Sequence, residues 1–195
     1  MRDYHPLAAH RLAGVVSISQ SPAPAMVTLA SPAASVMTDL RQIQAAVIKP
    51  HISMETANTY MMQRGVRLLL VLHPDGNLAG LITATDILGD KPLRFIEERR
   101  VNHSDILVSD VMTPLDRLDA ISLAEVARAN VGHVIATLRE SGRQHTLVTT
   151  TDALGKTNVC GIFSRSQIEK QIGAPILSSE VARTFAEIEA TLVAD

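Results

Sequence analysis

Side-chain catalysis needs a nucleophile beside a base, a set of metal ligands, or two facing carboxylates, and each leaves a mark in residue spacing. The seven histidines, at positions 5, 10, 51, 73, 103, 133 and 145, show no His-Glu-x-x-His pattern, and Cys160 has no second cysteine with which to share a zinc ion. Neither Gly-x-Ser-x-Gly nor a Walker loop occurs. The expectation is no catalytic residue, no metal and no enzyme. Recognition of a small molecule is less demanding, because a few convergent polar groups suffice. Gly80-Leu81-Ile82-Thr83-Ala84-Thr85-Asp86 ends an apolar strand and begins a helix, with Thr83 and Asp86 at capping-box spacing. One reading is a cap, in which both side chains satisfy the first free N–H groups of the helix. The other is a ligand site. A carboxylate can accept from both hydroxyls of a ribose diol through charge-assisted bonds, and a helix N-terminus favours a phosphate.

A second copy, Gly161-Ile162-Phe163-Ser164-Arg165-Ser166-Gln167, follows 81 residues later. Val36-Met37-Thr38 likewise recurs as Val111-Met112-Thr113, and the helix-opening Ser53 recurs as Ser122, at offsets of 75 and 69 residues. Similar but unequal offsets mean that one unit of about 70 residues is used twice. In the second copy Gln167 can still bond backward to Ser164 in a capping box, but it carries no charge. Capping accepts either copy, whereas a diol prefers the first. The expectation is one competent cleft around Asp86, and a weak, altered or empty one around Ser164 and Gln167, where Arg165 could meet a phosphate.

The elements that must position these residues can be read along the chain. Residues 1–34, rich in Ala, Ser and Pro, read as an irregular N-terminal arm in which Leu12 to Ile18 could form a short docking strand or helix. The first unit, residues 35–101 with its linker, opens with Val36 to Leu40 and a short strand from Ala45 to Ile48. Ser53 then caps a helix ended by Gly65, with Met54, Ala57 and Met61 as its buried stripe. Val66 to Leu72, interrupted by Arg67, is a strand covered on both faces. It turns at His73-Pro74-Asp75-Gly76 into a returning strand, Leu78 to Ile82, followed by a short helix to Leu88 and a charged helical linker from Leu93 to Val101. The second unit, residues 102–175, opens through Ile106 to Pro114. Its capping box Ser122-Leu123-Ala124-Glu125 starts a helix predicted to run to Ser141 with a bend at Gly132. Strands Thr146 to Thr150 and Val159 to Phe163, the latter burying Cys160, lead to a closing helix from Ser166 to Ile172. In residues 176–195, Ser178 or Ser179 caps a helix whose Val181, Phe185, Ile188 and Leu192 form one apolar face that wants a partner.

Composition narrows the partners. An apolar fraction of 46% with 19% charged residues reads as globular. With 18 basic against 20 acidic residues and no basic block, there is no footprint for a phosphate backbone, so nucleic acid is not an expected partner. No apolar run approaches the ~20 residues that cross a bilayer. Leu12 to Ile18 behind Arg11 is short and carries Ser17, a poor signal sequence. A single cysteine forbids an intramolecular disulfide, and the expected location is the cytoplasm.

The repeated order of Val-Met-Thr, helix, apolar strand, hairpin and Gly-apolar-apolar-Thr/Ser-x-x-Asp/Gln before a second helix, from about Ser35 to Gly173, resembles the tandem CBS domains of a Bateman module. That resemblance implies an α/β fold of two β-α-β-β-α units related by a pseudo-twofold axis, with sheets packed together, clefts between them, and pairing into a homodimer. It implies a regulatory module that senses an adenine nucleotide such as AMP, ADP or ATP, with S-adenosylmethionine or NAD ranked behind, and passes dimer geometry to an effector protein. It assigns Asp86 to the ribose, Thr83 to ribose or phosphate with Thr85 in a lesser role, and Arg67 to the phosphates, although Arg67 reads equally as a cation on an exposed strand end. The backbone from Leu107 to Met112, with Leu107, Val108 and Met112 as its contacts, would hold the adenine. The competing expectation is a scaffold or partner-binding protein with empty clefts, in which Thr83 and Asp86 are helix caps only.

Overall fold

The computed structural model describes residues 5–19 and 26–176. Residues 5–19 form neither strand nor helix and are exposed. Leu12, Val15, Val16 and Ile18 meet no apolar surface there that would stabilise the element expected of them. The predicted helix from Ser178 or Ser179 lies outside the described residues.

The elements are β1 (Thr38–Asp39), β2 (Val47–Ile48), α1 (Met54–Arg64), β3 (Leu68–Leu72), β4 (Leu78–Thr83), α2 (Ala84–Leu88) and α3 (Lys91–Arg99) in the first half. The second half holds α4 (Val108–Val111), β5 (Thr113–Pro114), β6 (Ala120–Ser122), α5 (Leu123–Val126), α6 (Val131–Glu140), β7 (His145–Thr151), β8 (Thr157–Ser164) and α7 (Arg165–Ile172). They make two four-stranded sheets, ordered β2-β3-β4-β5 and β1-β8-β7-β6. The chain is thus an α/β protein built of two like units, and each unit lends its opening strand to the other's sheet. β5 lies antiparallel to β4, with Leu81 opposite Thr113, and β1 lies antiparallel to β8, with Thr38 opposite Ile162.

The apolar patterning explains the layering. In β3, Leu69 and Val71 face the first helical core while Leu68 and Leu70 face the other sheet, which is why the run is apolar throughout. Leu147 answers them from β7, and Leu68, Leu70, Leu81 and Leu147 join the sheets back to back, each worth roughly 2 kcal/mol of burial. The helix signals act locally as expected. Ser53 Oγ accepts from Thr56 N at 3.2 Å, Gly65 ends α1 in the left-handed region at φ 63°, and Met54, Ala57 and Met61 are buried. Cys160 is buried beneath α6 and α7.

The helix predicted from Ser122 to Ser141 is instead two helices, α5 and α6. Asn130 restarts the chain as a new cap: its Oδ1 accepts from His133 N, and its own N–H donates to His133 Nδ1, both at 3.2 Å. The break has a tertiary cause. Ala129 O accepts from Ala33 N, and the N–H groups of Val131 and Gly132 donate to the carbonyls of Ser31 and Leu29. The segment before β1 thereby replaces a helical turn, and Ala33 and Val36 sit in the second unit's core.

Candidate functional site

At the end of β4 the chain turns into α2, and the capping box forms in full. Asp86 Oδ2 accepts from Thr83 N at 2.8 Å and from Thr83 Oγ1 at 2.7 Å, while Asp86 N donates to Thr83 Oγ1 at 3.2 Å. The other carboxylate oxygen, Oδ1, lies 2.5 Å from Lys91 Nζ, which also donates to Val111 O. Opposite stands the second unit. Gly80 has no side chain, so β5 can lie directly on β4 and bring Thr113 beside Leu81. Behind it come Leu118 and Asp119, and from the end of α6 the run Gly142 to Leu147. Together with Thr83, Thr85 and Asp86 they line a cleft of about 190 Å³. Arg143 is its cation, donating to Arg117 O at 2.8 Å and lying 3.4 Å from Asp119.

A second cleft of about 960 Å³ repeats this arrangement with the units exchanged. Ser164, Ser166 and Gln167 take the place of Thr83, Thr85 and Asp86, and the run Gly65 to Leu68 takes that of the α6–β7 junction. The capping box expected of Ser164 and Gln167 is absent: Ser164 makes no side-chain cap bond and shares a 3.2 Å hydrogen bond with Ser166. Gln167 instead reaches across the cleft, where its Oε1 accepts from Thr38 Oγ1 at 3.2 Å. A neutral amide bonds backward more weakly than a carboxylate, so a hydroxyl donor on the facing strand captures it.

Thr83, Thr85 and Asp86 therefore share one cleft. Arg67 does not join them: it lines the cleft of Ser164 and Gln167, because the start of each unit's β-hairpin stands over the other unit's motif. Leu107, Val108 and Met112 do not line the Asp86 cleft either. Val108 and Met112 pack in the first helical core, and Leu107 pairs with Ser53, because α4 turns its apolar face inward, leaving Thr113 as the residue that reaches the cleft. Arg165 is engaged away from both clefts, with Glu169 at 3.1 Å and with the carbonyl of Ile176. Sequence reasoning missed Thr113, Asp119, Arg143 and His145. Arg143 had a signal, since Gly142-Arg143 mirrors Gly65-Val66-Arg67 at the corresponding helix end. Among the described residues, no group of three His, Cys, Asp or Glu side chains could hold a metal ion.

His145 touches both clefts. Its Nδ1 is buried and has no hydrogen-bond partner among the described residues. Burial first, and the Arg67 charge second, lower its pKa to about 4, with Asp86 pulling the other way. Above pH ~6.5 the imidazole is neutral whether the chain is folded or not. As pH falls from there towards 4 only the unfolded chain takes up the proton, so stability is lost through that window, by up to about 3 kcal/mol. Urea midpoints at pH 7.5 and pH 4.5 test this: the drop shrinks in His145→Gln, and a variant as acid-sensitive as the parent refutes it.

Residues 33–90 match the family model of the CBS domain. An uncharacterised conserved protein of Pyrococcus horikoshii is similar at 26% identity, over 74% of this chain and 93% of that one, with a TM-score of 0.53. A CBS-domain protein of Agrobacterium tumefaciens shares the fold at 15% identity, over 78% of this chain and 98% of that one, with a TM-score of 0.51. CBSX2 of Arabidopsis thaliana, solved in complex with AMP, aligns at 23% identity over 72% of this chain and 94% of its own, at a looser TM-score of 0.48. No curated protein matches the chain.

Proposed function

We propose that this chain, a CBS-domain protein, is a regulatory module that binds the adenosine part of an adenine nucleotide in the Asp86 cleft. The observation that carries the reading is convergence. Carboxylates from Asp86 and Asp119, threonine hydroxyls from Thr83, Thr85 and Thr113, a cation from Arg143 and apolar walls from Leu81, Leu118 and Leu147 meet in one cleft drawn from both units. Asp86 Oδ2 is filled by the cap, but Oδ1 faces only Lys91, whose side chain is 44% exposed and can swing away to let a ribose diol donate in its place. The cleft volume of about 190 Å³ is smaller than sites that enclose a whole ligand. It suits a nucleoside gripped at its sugar, with phosphates in the open mouth beside Arg143. AMP, ADP and ATP are the candidate ligands, ahead of S-adenosylmethionine and NAD. The output passes to an effector protein through the geometry of a homodimer, for which Leu88 and Leu93, exposed on α2 and α3, offer an apolar surface. A ligand moves that geometry only as far as it binds one arrangement better than another.

A second reading, a scaffold with Asp86 as cap alone, is favoured by the completeness of the Thr83–Asp86 box. A thermal-shift panel with AMP, ADP, ATP, NAD and S-adenosylmethionine separates the two. A compound at a hundred times its Kd adds about 2.7 kcal/mol, which raises the midpoint by roughly 5 to 10 °C for a chain of this size. If no compound moves the midpoint, the scaffold reading stands.

A further inference from the structure

We infer that the second cleft, around Gln167, is a site for a phosphoryl anion that is recognised by charge and without a sugar. The two clefts share a plan but differ in charge. In the Asp86 cleft, carboxylates and cations are matched, Asp86 with Lys91 and Asp119 with Arg143. In the Gln167 cleft, Arg67 from one unit and Lys170 from the other line the wall, and among the described residues no carboxylate does. Among the described residues neither cation forms a salt bridge. Asp39, an acid that lines the adjoining groove, is already neutralised by Arg41, which bonds its two oxygens at 2.8 and 2.7 Å. Of the other polar groups on the wall, Gln171 and one of the paired hydroxyls of Ser164 and Ser166 can donate hydrogen bonds to an anion, while Thr38 gives its hydrogen to Gln167. Because Gln167 accepts from Thr38 through its oxygen, its amide nitrogen stays available as a further donor. At about 960 Å³ the cleft is roomy enough for a polyanion with its water. An aspartate at position 167 would add a negative charge to this wall, so the glutamine that spoils a diol site makes an anion site.

Inorganic pyrophosphate is the probe, titrated calorimetrically into the full chain at low salt. The parent binds it. Arg67→Ala and Lys170→Ala, both at exposed positions, each weaken binding at least tenfold, as does Gln167→Asp, whereas Arg139→Ala, an exposed cation on α6, does not. Saturating adenosine leaves the pyrophosphate affinity unchanged. Absence of binding by the parent, equal affinity in the Arg67 and Lys170 variants, or displacement by adenosine each overturns the inference. The inference stands apart from the adenosine reading, because pyrophosphate binding is scored whether or not adenosine binds.

Discussion

Asp86→Ala lowers the affinity for an adenine nucleoside by at least about 100-fold while costing the fold only about 1 kcal/mol. The first figure follows from two charge-assisted hydrogen bonds to a diol, each worth roughly 1.5 to 3 kcal/mol where both partners leave water. The second follows from what Asp86 does in the free protein. Its cap bonds to Thr83 are worth about 1 kcal/mol, and its pair with half-exposed Lys91 adds little. Lys91 keeps the Val111 carbonyl as partner, so no buried charge is stranded. Asp86→Asn is the finer probe: it keeps the shape and one acceptor oxygen, and so retains more stability than affinity. Calorimetric titration with AMP, paired with urea denaturation, reads both quantities. A variant that loses stability but responds to AMP as the parent does would reduce Asp86 to a helix cap.

Gly80→Ala destabilises the protein by about 3 kcal/mol or more, at the upper end of overpacking costs, and Gly161→Ala, at the same position of the second motif, by about 1. A Cβ on Gly80 would fall 2.3 Å from the Thr113 carbonyl oxygen and 3.0 Å from Pro114 Cα, both backbone atoms. Relief requires β5 to leave β4, and with it goes Thr113 from the Asp86 cleft, so ligand response falls alongside stability. A Cβ on Gly161 would meet Met37, at 2.5 Å from Sδ and 2.9 Å from Cγ, and an unbranched thioether side chain can rotate away. Equilibrium unfolding of the two variants side by side settles it. Equal losses would mean that the two borrowed strands are held alike.

The pair of glycines shows where sequence reasoning stops. Both open a Gly-apolar-apolar-hydroxyl motif and look equivalent, and only the strand lying across each one separates a rigid contact from a yielding one. The same limit applies to Arg67. Its place at the start of β3, next to the strand that ends in Thr83, suggested one cleft, yet the pseudo-twofold arrangement sends it to the other and brings Arg143 to Asp86. The break at Asn130 was equally hidden, because the carbonyls that replace the helical turn come from Leu29 and Ser31, a hundred residues away.

What the chain declares on its own is the duplication, read from its recurring motifs, and features governed by near neighbours: the Ser53 and Thr83 caps, the methionine stripe of α1 and the doubly covered run of β3. Periodicity and capping act within about four residues and hold wherever no distant group competes, as Thr38 does for Gln167. The tertiary structure decided which residues share a cleft. Each unit completes its sheet with the other's opening strand and stands its hairpin over the other's motif, so both clefts are lined by residues far apart in the sequence.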